Sequence, residues 1–167
     1  MNVAALIAWL VTALGGFYLL GKWLAGGGAR QQHGGPSRFP APVIFGHFLL
    51  AATGLIVWIV FLLAHAKALA WTAFVILVPV ALLGFTMFFR WIGVHPEGPG
   101  GRGTAAPVPA PARVGAPAAA GAPAAPAPAA AGAAVPAERH LPVPVVLAHG
   151  ALAATTLVLV LLAALGA

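Results

Sequence analysis

Four long apolar stretches constrain the fold of this chain more than any other feature of its sequence. They lie at about residues 3–23, 43–64, 68–89 and 145–165. An apolar stretch of about 18 or more residues is typical of a transmembrane helix, because at 1.5 Å per residue it crosses a hydrocarbon core of about 30 Å. The sequence therefore predicts an all-α integral membrane protein with four transmembrane helices in a bundle.

The composition excludes several classes of protein. Of the 167 residues, 62% are hydrophobic and 6% are charged, whereas a soluble domain is about 25% charged. The chain has no cysteine, which excludes disulfides, zinc–thiolate sites, iron–sulfur clusters and cysteine nucleophiles. The pI is about 11.7, but the basic residues are sparse and flank the apolar stretches. They therefore indicate membrane topology, and no binding to nucleic acid is expected.

The basic residues also predict an orientation. They are concentrated in or beside the first loop (Lys22, Arg30 and Arg38) and the third loop (Arg90, Arg102, Arg113 and Arg139), whereas the second loop has only Lys67. The positive-inside rule places loops one and three in the cytoplasm and both termini outside. The first stretch has no basic segment before it and no Ala-x-Ala site after it, so we expect a retained helix rather than a cleaved signal peptide.

The chain divides into four predicted segments. Residues 1–66 form a first transmembrane hairpin and residues 67–96 contain the third transmembrane helix. Residues 97–137, rich in Pro, Ala and Gly, form a disordered linker, and residues 138–167 contain the fourth transmembrane helix. We expect the linker to be a spacer, with partner docking as the alternative. The first loop, at residues 26–40, is a shorter segment of the same kind.

An internal repeat relates the second apolar stretch to the fourth. Residues 40–55 and 142–157 are identical at nine of sixteen positions. Matches of Ala and Leu are common between apolar helices, but both segments also share Pro-x-Pro-Val, a histidine (His47 or His149) and a threonine six residues after it. These matches predict a duplication.

The first and third stretches match more weakly. Residues 13–24 and 81–92 share Ala-Leu-x-Gly-Phe, followed after four residues by a basic residue, Trp and an aliphatic residue. The chain is therefore predicted to be a tandem duplication of a helical hairpin. Because both hairpins have the same orientation, they are expected to be related by a pseudo-twofold axis along the membrane normal.

Two pairs of repeated residues have predicted structural roles. Gly16 and Gly84 are expected to permit close helix approach. Lys22-Trp23 and Arg90-Trp91 are expected to anchor the helices at the cytoplasmic interface, with substrate binding as the less favoured alternative.

Polar side chains are scarce in the predicted membrane interior. No Asp, Glu, Lys, Arg, Asn or Gln lies there, so proton relays through carboxylates, di-metal carboxylate sites and Ser-His-Asp catalysis are unsupported. The chain has six histidines. We expect four of them to be solvated residues of loops or helix ends, namely His33, His65, His95 and His140. The remaining two, His47 and His149, are equivalent in the repeat and lie at the same predicted depth.

The histidine pair leads to a cofactor hypothesis. Two opposed neutral imidazoles can supply both axial ligands of a haem iron. We therefore expect His47 and His149 to be the metal ligands of a b-type haem. Its propionates would need cations, and four residues lie at about that level, namely Arg38, Arg90, Arg139 and His140. Structural hydrogen bonding to a helix carbonyl or a Thr is an equally weighted alternative. The remaining alternatives for the histidine pair are a different metal, proton passage and a small apolar ligand such as a quinone.

A four-helix bundle with two histidines resembles the membrane-anchored b-type cytochromes, of the cytochrome b561 or succinate dehydrogenase anchor kind. The resemblance rests on His47, His149 and the helix count, and it implies electron transfer or redox sensing. A second intramembrane histidine pair, which those families often have, is absent. The composition also resembles small membrane proteins of GC-rich bacteria, which implies a bacterial cytoplasmic membrane and no particular activity.

Three functions follow from these observations. The first is a haem-binding subunit without catalytic activity of its own, which works with a redox partner or a larger membrane complex. The second is a non-enzymatic scaffold or accessory subunit in which the histidines are structural. The third and least favoured is a small-solute transporter, because nothing polar lines a path through the outer half of the bundle.

Overall fold

The computed structural model describes residues 1–32, 34–93 and 135–166, and in these ranges the chain is all-helical. Four long helices are present: α1 (Asn2–Ala25), α2 (Ala41–Ala64), α3 (Lys67–Ile92) and α4 (Val143–Leu165). Each is long and apolar enough to cross a membrane, as predicted. Most of the predicted linker lies outside the described residues, as do His33, His95, Arg102 and Arg113.

Proline sets the start of two helices. α2 begins directly after Pro40 and α4 directly after Pro142, and each helix carries a second proline, Pro42 or Pro144, in its first turn. Proline is tolerated there because the N–H groups of the first turn have no partner within the helix. The repeated Pro-x-Pro-Val therefore marks the same helix start in both halves of the chain.

The packing of the helices gives their order around the bundle. α2 packs along α3, α1 packs along α4, and α3 also contacts α4, whereas α1 and α2 make fewer contacts and the pairs α1–α3 and α2–α4 make at most very few. The order around the bundle is therefore α1, α2, α3, α4, with α2 and α4 on one diagonal. The turn between α2 and α3 consists of residues 65 and 66, so these helices are adjacent and antiparallel.

Two buried apolar clusters fill the bundle. The larger one, the Trp58 cluster, contains Trp9, Trp58, Phe61, Leu77 and Val160 among its members. The smaller one, the Trp23 cluster, consists of Trp23, Phe39, Ile44, Trp91, Ala137 and Leu141. It lies at the end of the bundle where the first loop meets the short 3₁₀ turn before α4, which we call the loop end. The opposite end, at residues 65–66, is the turn end.

The first loop differs from the expectation of a linker-like segment. Gln31 exchanges hydrogen bonds with the segment before α4, accepting from the Ala137 N–H at 3.0 Å and donating to the Val135 carbonyl at 3.0 Å. Gln32 accepts from the Ala41 N–H at 2.8 Å. Amide side chains thus take the place of secondary structure in pairing the backbone groups of this loop.

Glu138 holds the first loop from the other side. Its side chain is fully buried. Its Oε1 accepts hydrogen bonds from the hydroxyl of Ser37 at 2.5 Å and from the N–H groups of Arg38 and Phe39, both at 2.8 Å. A buried carboxylate needs such donors because it has lost its water. The glutamate therefore fixes the end of loop one against the start of α4.

The prediction for the two repeated tryptophans is wrong. Trp23 is 2% exposed and Trp91 is 5% exposed, so both lie inside the protein rather than at its lipid-facing surface. The reason is that the loops fold back over this end of the bundle and cover the rings. A Cβ on Gly28 would lie 2.1 Å from Cε2 of Trp23, so only glycine fits against that indole. The basic neighbours Lys22 and Arg90 are exposed.

Candidate functional site

The structure brings His47 and His149 together inside the bundle. Their ring centroids are 6.4 Å apart and their planes make an angle of 59°. Both side chains are half-buried. The two rings approach across the α2–α4 diagonal, which is the arrangement expected if both histidines face the interior.

Each imidazole is hydrogen-bonded to a neighbouring helix. Nδ1 of His47 lies 2.9 Å from the Val80 carbonyl of α3, and Nδ1 of His149 lies 3.0 Å from the Thr12 carbonyl of α1. A carbonyl can only accept, so Nδ1 must carry the hydrogen in both rings. In the neutral imidazole, Nε2 then has a free lone pair, and neither Nε2 forms a hydrogen bond within the described part of the chain.

Glycine explains how the histidines reach these carbonyls. Gly16 follows Thr12 by four residues and Gly84 follows Val80 by four, and a side chain four residues on leans back over a helix carbonyl. A Cβ on Gly16 would lie 3.1 Å from Cε1 of His149, and a Cβ on Gly84 would lie 3.4 Å from Cε1 of His47. The predicted role of these glycines in close helix approach is thus specifically to admit an imidazole.

The two halves of the site are related by the offsets of the predicted repeat. Thr12 and Val80 are 68 positions apart, as are Gly16 and Gly84, while the two histidines are 102 positions apart. His47 on α2 bonds to α3, and its equivalent His149 on α4 bonds to α1, which is the helix equivalent to α3. The duplication itself stays a prediction, but its equivalent residues make equivalent contacts.

The histidine pair forms a polar layer between the two apolar clusters. On α2, Ile44 of the Trp23 cluster precedes His47, and Trp58 follows it. One further polar contact lies close by: the hydroxyls of Thr12 and Thr156 are 3.5 Å apart and buried. Each threonine hydroxyl also donates its hydrogen to a carbonyl of its own helix, so neither has a second hydrogen to donate. The Nε2 lone pairs of the two imidazoles are the nitrogen donors available to a metal.

The donor set limits which metal the site can hold. No group of three or more His, Cys, Asp or Glu side chains that could bind a metal ion is present among the described residues. A protein zinc site usually has three or four protein ligands. A haem iron takes only two ligands from the protein, and two imidazoles supply that number.

The four cations predicted to meet the propionates lie at the loop end. All are exposed, and two of them hold the loop to α3. Nη1 of Arg38 donates to the Gly93 carbonyl at 3.0 Å, and Nη1 of Arg90 donates to the Arg38 carbonyl at 2.8 Å. Arg139 and His140 belong to the 3₁₀ turn before α4. Arg90 follows Gly84 by six residues, or about 9 Å along the helix, so these cations lie beyond the histidines toward the loop end.

The histidines predicted to be solvated are exposed where the structure describes them. His65 ends α2 in the left-handed region, with φ of 54°, and is exposed. His140 is also exposed and lies against Gly26. Neither approaches the histidine pair closely enough for a ring contact, so the site contains two histidines within the described residues.

Two parts of the site region were not predicted from the sequence. The carbonyls of Thr12 and Val80 are backbone groups, and the only trace of them in the sequence is a glycine four residues later. The role of Glu138 could not be predicted either, because its partners lie about 100 positions away in the first loop.

Comparison with known proteins adds no constraint to this geometry. No protein-family model matches the chain, and no curated protein or solved structure matches it. A functional argument therefore depends on the residues described above.

Proposed function

We propose that this chain is an integral membrane protein that binds a b-type haem between His47 and His149, in an electron-transfer or redox-sensing role. The observation that carries the proposal is the pair of imidazoles that meet in the bundle, each with Nδ1 held by a helix carbonyl. Between the described helices, the other buried polar groups are the hydroxyls of Thr12 and Thr156 and the indole N–H groups of Trp23 and Trp58. None of these is a usual iron ligand, so the histidine pair is the natural place for a cofactor.

The hydrogen bonds prepare both rings for metal binding. A ligating histidine usually donates its other ring N–H to a carboxylate, a carbonyl or water, which fixes the tautomer and the ring orientation. The Thr12 and Val80 carbonyls supply this second contact. The free Nε2 of each ring is then the atom that would coordinate iron.

The spacing of the rings supports a shared ion. Bonds from a metal to imidazole nitrogen are about 2 Å long, so two rings on opposite sides of one ion have centroids roughly 6 Å apart. The observed separation is 6.4 Å. Bound haem would supply the one-electron chemistry of its iron, and the protein would supply the axial ligands and an apolar surrounding.

The loop end is the side toward which the propionates would extend. Arg38, Arg90, Arg139 and His140 are the residues that would neutralise these carboxylates. Because Arg38 and Arg90 also join loop one to α3, propionate binding would draw on cations that the fold already positions.

The same cations support an orientation. Of the eight Lys and Arg side chains, two lie outside the described residues, and all but one of the others lie at the loop end. By the positive-inside rule, we place the loop end in the cytoplasm and both termini outside, in a bacterial cytoplasmic membrane. A redox partner or a larger membrane complex would exchange the electron, because no catalytic group accompanies the histidine pair among the residues that the structure describes.

Haem titration of the purified chain tests the proposal. Full-length protein in mild detergent should bind one haem per chain and give a Soret band. His47→Ala and His149→Ala should each abolish or greatly weaken binding. His65→Asn is the matched control, since it removes a histidine outside the site and Asn tolerates the left-handed backbone there. Absence of a Soret band in the parent protein, or equal binding by His47→Ala, would rule haem out.

A non-enzymatic scaffold or accessory subunit is the second candidate. The bonds from Nδ1 to the Thr12 and Val80 carbonyls favour it, because they join α4 to α1 and α2 to α3 without any cofactor. In that case the parent protein binds no haem, and the two alanine variants lose stability only. Hydrogen bonds between membrane helices average about 0.6 kcal/mol, so the expected loss is small. Purification in mild detergent would then recover a stable partner.

A further inference from the structure

The two halves of the bundle end differently at the loop end. At the end of α3, the guanidinium of Arg38 donates to the Gly93 carbonyl at 3.0 Å, and Arg90 donates to the Arg38 carbonyl at 2.8 Å. These contacts close the end of α3. The offsets of the predicted repeat place Lys22 at the position of Arg90 and His140 at the position of Arg38.

At the end of α1 the equivalent space is open. His140 lies against the end of α1, where a Cβ on Gly26 would be 3.2 Å from its Cδ2. An imidazole is shorter than an arginine side chain and does not reach as far. A shallow cavity of about 270 Å³, largely open to the surroundings, remains there and is lined by Lys22, Ala25, Gly26 and His140.

Lys22 does not make the kind of hydrogen bond that its equivalent, Arg90, makes to a backbone carbonyl. Its ammonium lies 5.8 Å from the centre of the Tyr18 ring, and within the described residues it donates no hydrogen bond to a carbonyl. Glu138 is the one acid that the structure describes, and its Oε1 is taken by loop one. The positive charge of Lys22 is therefore available at the cavity.

The carbonyls at the end of α1 already have hydrogen-bond partners, so they do not attract a cation into this cavity. The Lys22, Trp23 and Leu24 carbonyls accept hydrogen bonds from the N–H groups of the glycine turn at residues 26–28, at 2.9 to 3.0 Å. With these carbonyls satisfied, the ammonium of Lys22 is, within the described residues, the one Lys or Arg charge that borders the cavity. The cavity is thus suited to an anion.

We propose that this cavity binds the phosphate of an anionic phospholipid, with Lys22 and His140 as the contacting residues. The inference rests on the membrane insertion in the proposed function. It shares His140 with the residues proposed for the propionates, whereas Lys22 belongs to the lipid site alone. A Lys or Arg next to a membrane surface favours anionic lipid by about 1 kcal/mol. Lys22 supplies that charge here, and the ring of His140 can donate an N–H to a phosphate oxygen. Zwitterionic lipid carries the same phosphate but no net charge to match that of Lys22.

Native mass spectrometry of the full-length chain tests the site. The protein is released from mild detergent micelles that contain phosphatidylglycerol or phosphatidylcholine. We expect one retained phosphatidylglycerol and no retained phosphatidylcholine. Lys22→Gln should weaken phosphatidylglycerol binding about fivefold, while Lys67→Gln, which removes a lysine at the turn end, should leave it unchanged. Equal retention of the two lipids, or equal effects of the two lysine variants, would overturn the inference.

His140→Arg separates a defined site from diffuse attraction. The variant adds a positive charge, but it also places at position 140 the same side chain as Arg38, which closes the end of α3. A defined site predicts weaker phosphatidylglycerol binding because the cavity is filled, and tighter binding would overturn it. Recovery of the chain in the membrane fraction is measured first. A chain absent from that fraction overturns both proposals, whereas insertion without lipid preference overturns only this one.

Discussion

At the scale of single residues, the candidate site consists of two histidines, two carbonyls and two glycines. The histidines could be predicted because polar groups are scarce in the interior and the repeat selects one pair among six. The carbonyls of Thr12 and Val80 could not, because every residue has a carbonyl and the sequence does not show which one is left accessible. Gly16 and Gly84 carry that information only when helix geometry is known.

The buried Glu138 illustrates a second limit at this scale. The sequence places it in a cationic surrounding near the start of α4, which would suit an exposed ion pair. Instead its carboxylate accepts from a serine hydroxyl and two backbone N–H groups of the first loop. Its role depends on a loop conformation that local sequence does not specify.

The two site glycines predict different responses to alanine. A Cβ on Gly84 would lie 3.4 Å from the His47 ring, an ordinary contact, whereas a Cβ on Gly16 would lie 3.1 Å from the His149 ring and must displace it. Gly84→Ala should keep or raise the free energy of unfolding, by up to about 1 kcal/mol from helix propensity. Gly16→Ala should be less stable than Gly84→Ala by about 1 kcal/mol, the value of a weakened hydrogen bond.

Unfolding in mixed detergent micelles, followed by circular dichroism, compares the two variants directly. The haem affinity of Gly16→Ala should also fall more than that of Gly84→Ala. Identical stability and identical haem affinity would show that the imidazoles do not rest against these glycines.

At the scale of helices, length and apolar composition predict the four elements well. Pro-x-Pro-Val marks the starts of α2 and α4, and the predicted limits lie close to the observed ones. The prediction fails where loops meet helices. Trp23 and Trp91 have the sequence context of interfacial anchors, but the loops supply an apolar surrounding that buries them.

Helix packing can be tested with a second pair of glycines. A Cβ on Gly54 would lie 3.1 Å from the Trp9 ring and 3.2 Å from Cγ2 of Ile76, so α2 is tightly packed there against α1 and α3. Gly54→Ala should lower the free energy of unfolding by about 1–3 kcal/mol, because the rigid indole must move. Gly150 has nothing within 4 Å of its Cβ position, so Gly150→Ala should be neutral or stabilising.

The same unfolding measurement checks this prediction, with near-ultraviolet circular dichroism as a probe of the tryptophan surroundings. Gly54→Ala should change that spectrum and Gly150→Ala should not. A Gly54→Ala variant as stable as the parent would contradict the packing of Trp9 against α2.

At the scale of the whole molecule, the predicted repeat relates helix pairs to one another but does not predict how closely each pair packs. α1 with α4 and α3 with α2 are equivalent pairs, and both pack closely. α3 also packs on α4, whereas the equivalent pair, α1 and α2, makes few contacts. The difference has no counterpart in the matched residues, so it could not be predicted from the repeat.

The orientation of the molecule can be tested without background labelling, because the chain has no cysteine. Ala29 in loop one and Ala66 in the second turn are both exposed and lie at opposite ends of the bundle. With the loop end in the cytoplasm, Ala66→Cys should react with an impermeant thiol reagent applied to intact cells. Ala29→Cys should react only after the membrane is opened, and the reverse pattern would invert the proposed orientation.

The absorption spectrum of the haem-loaded chain, recorded after reduction and then after addition of carbon monoxide, tests the central claim most directly. If His47 and His149 both ligate the iron, the spectrum should be that of a six-coordinate haem, one per chain, and carbon monoxide should leave it unchanged because no axial position is open. A chain without a Soret band, or a spectrum that carbon monoxide shifts at once, would contradict a haem held between the two imidazoles.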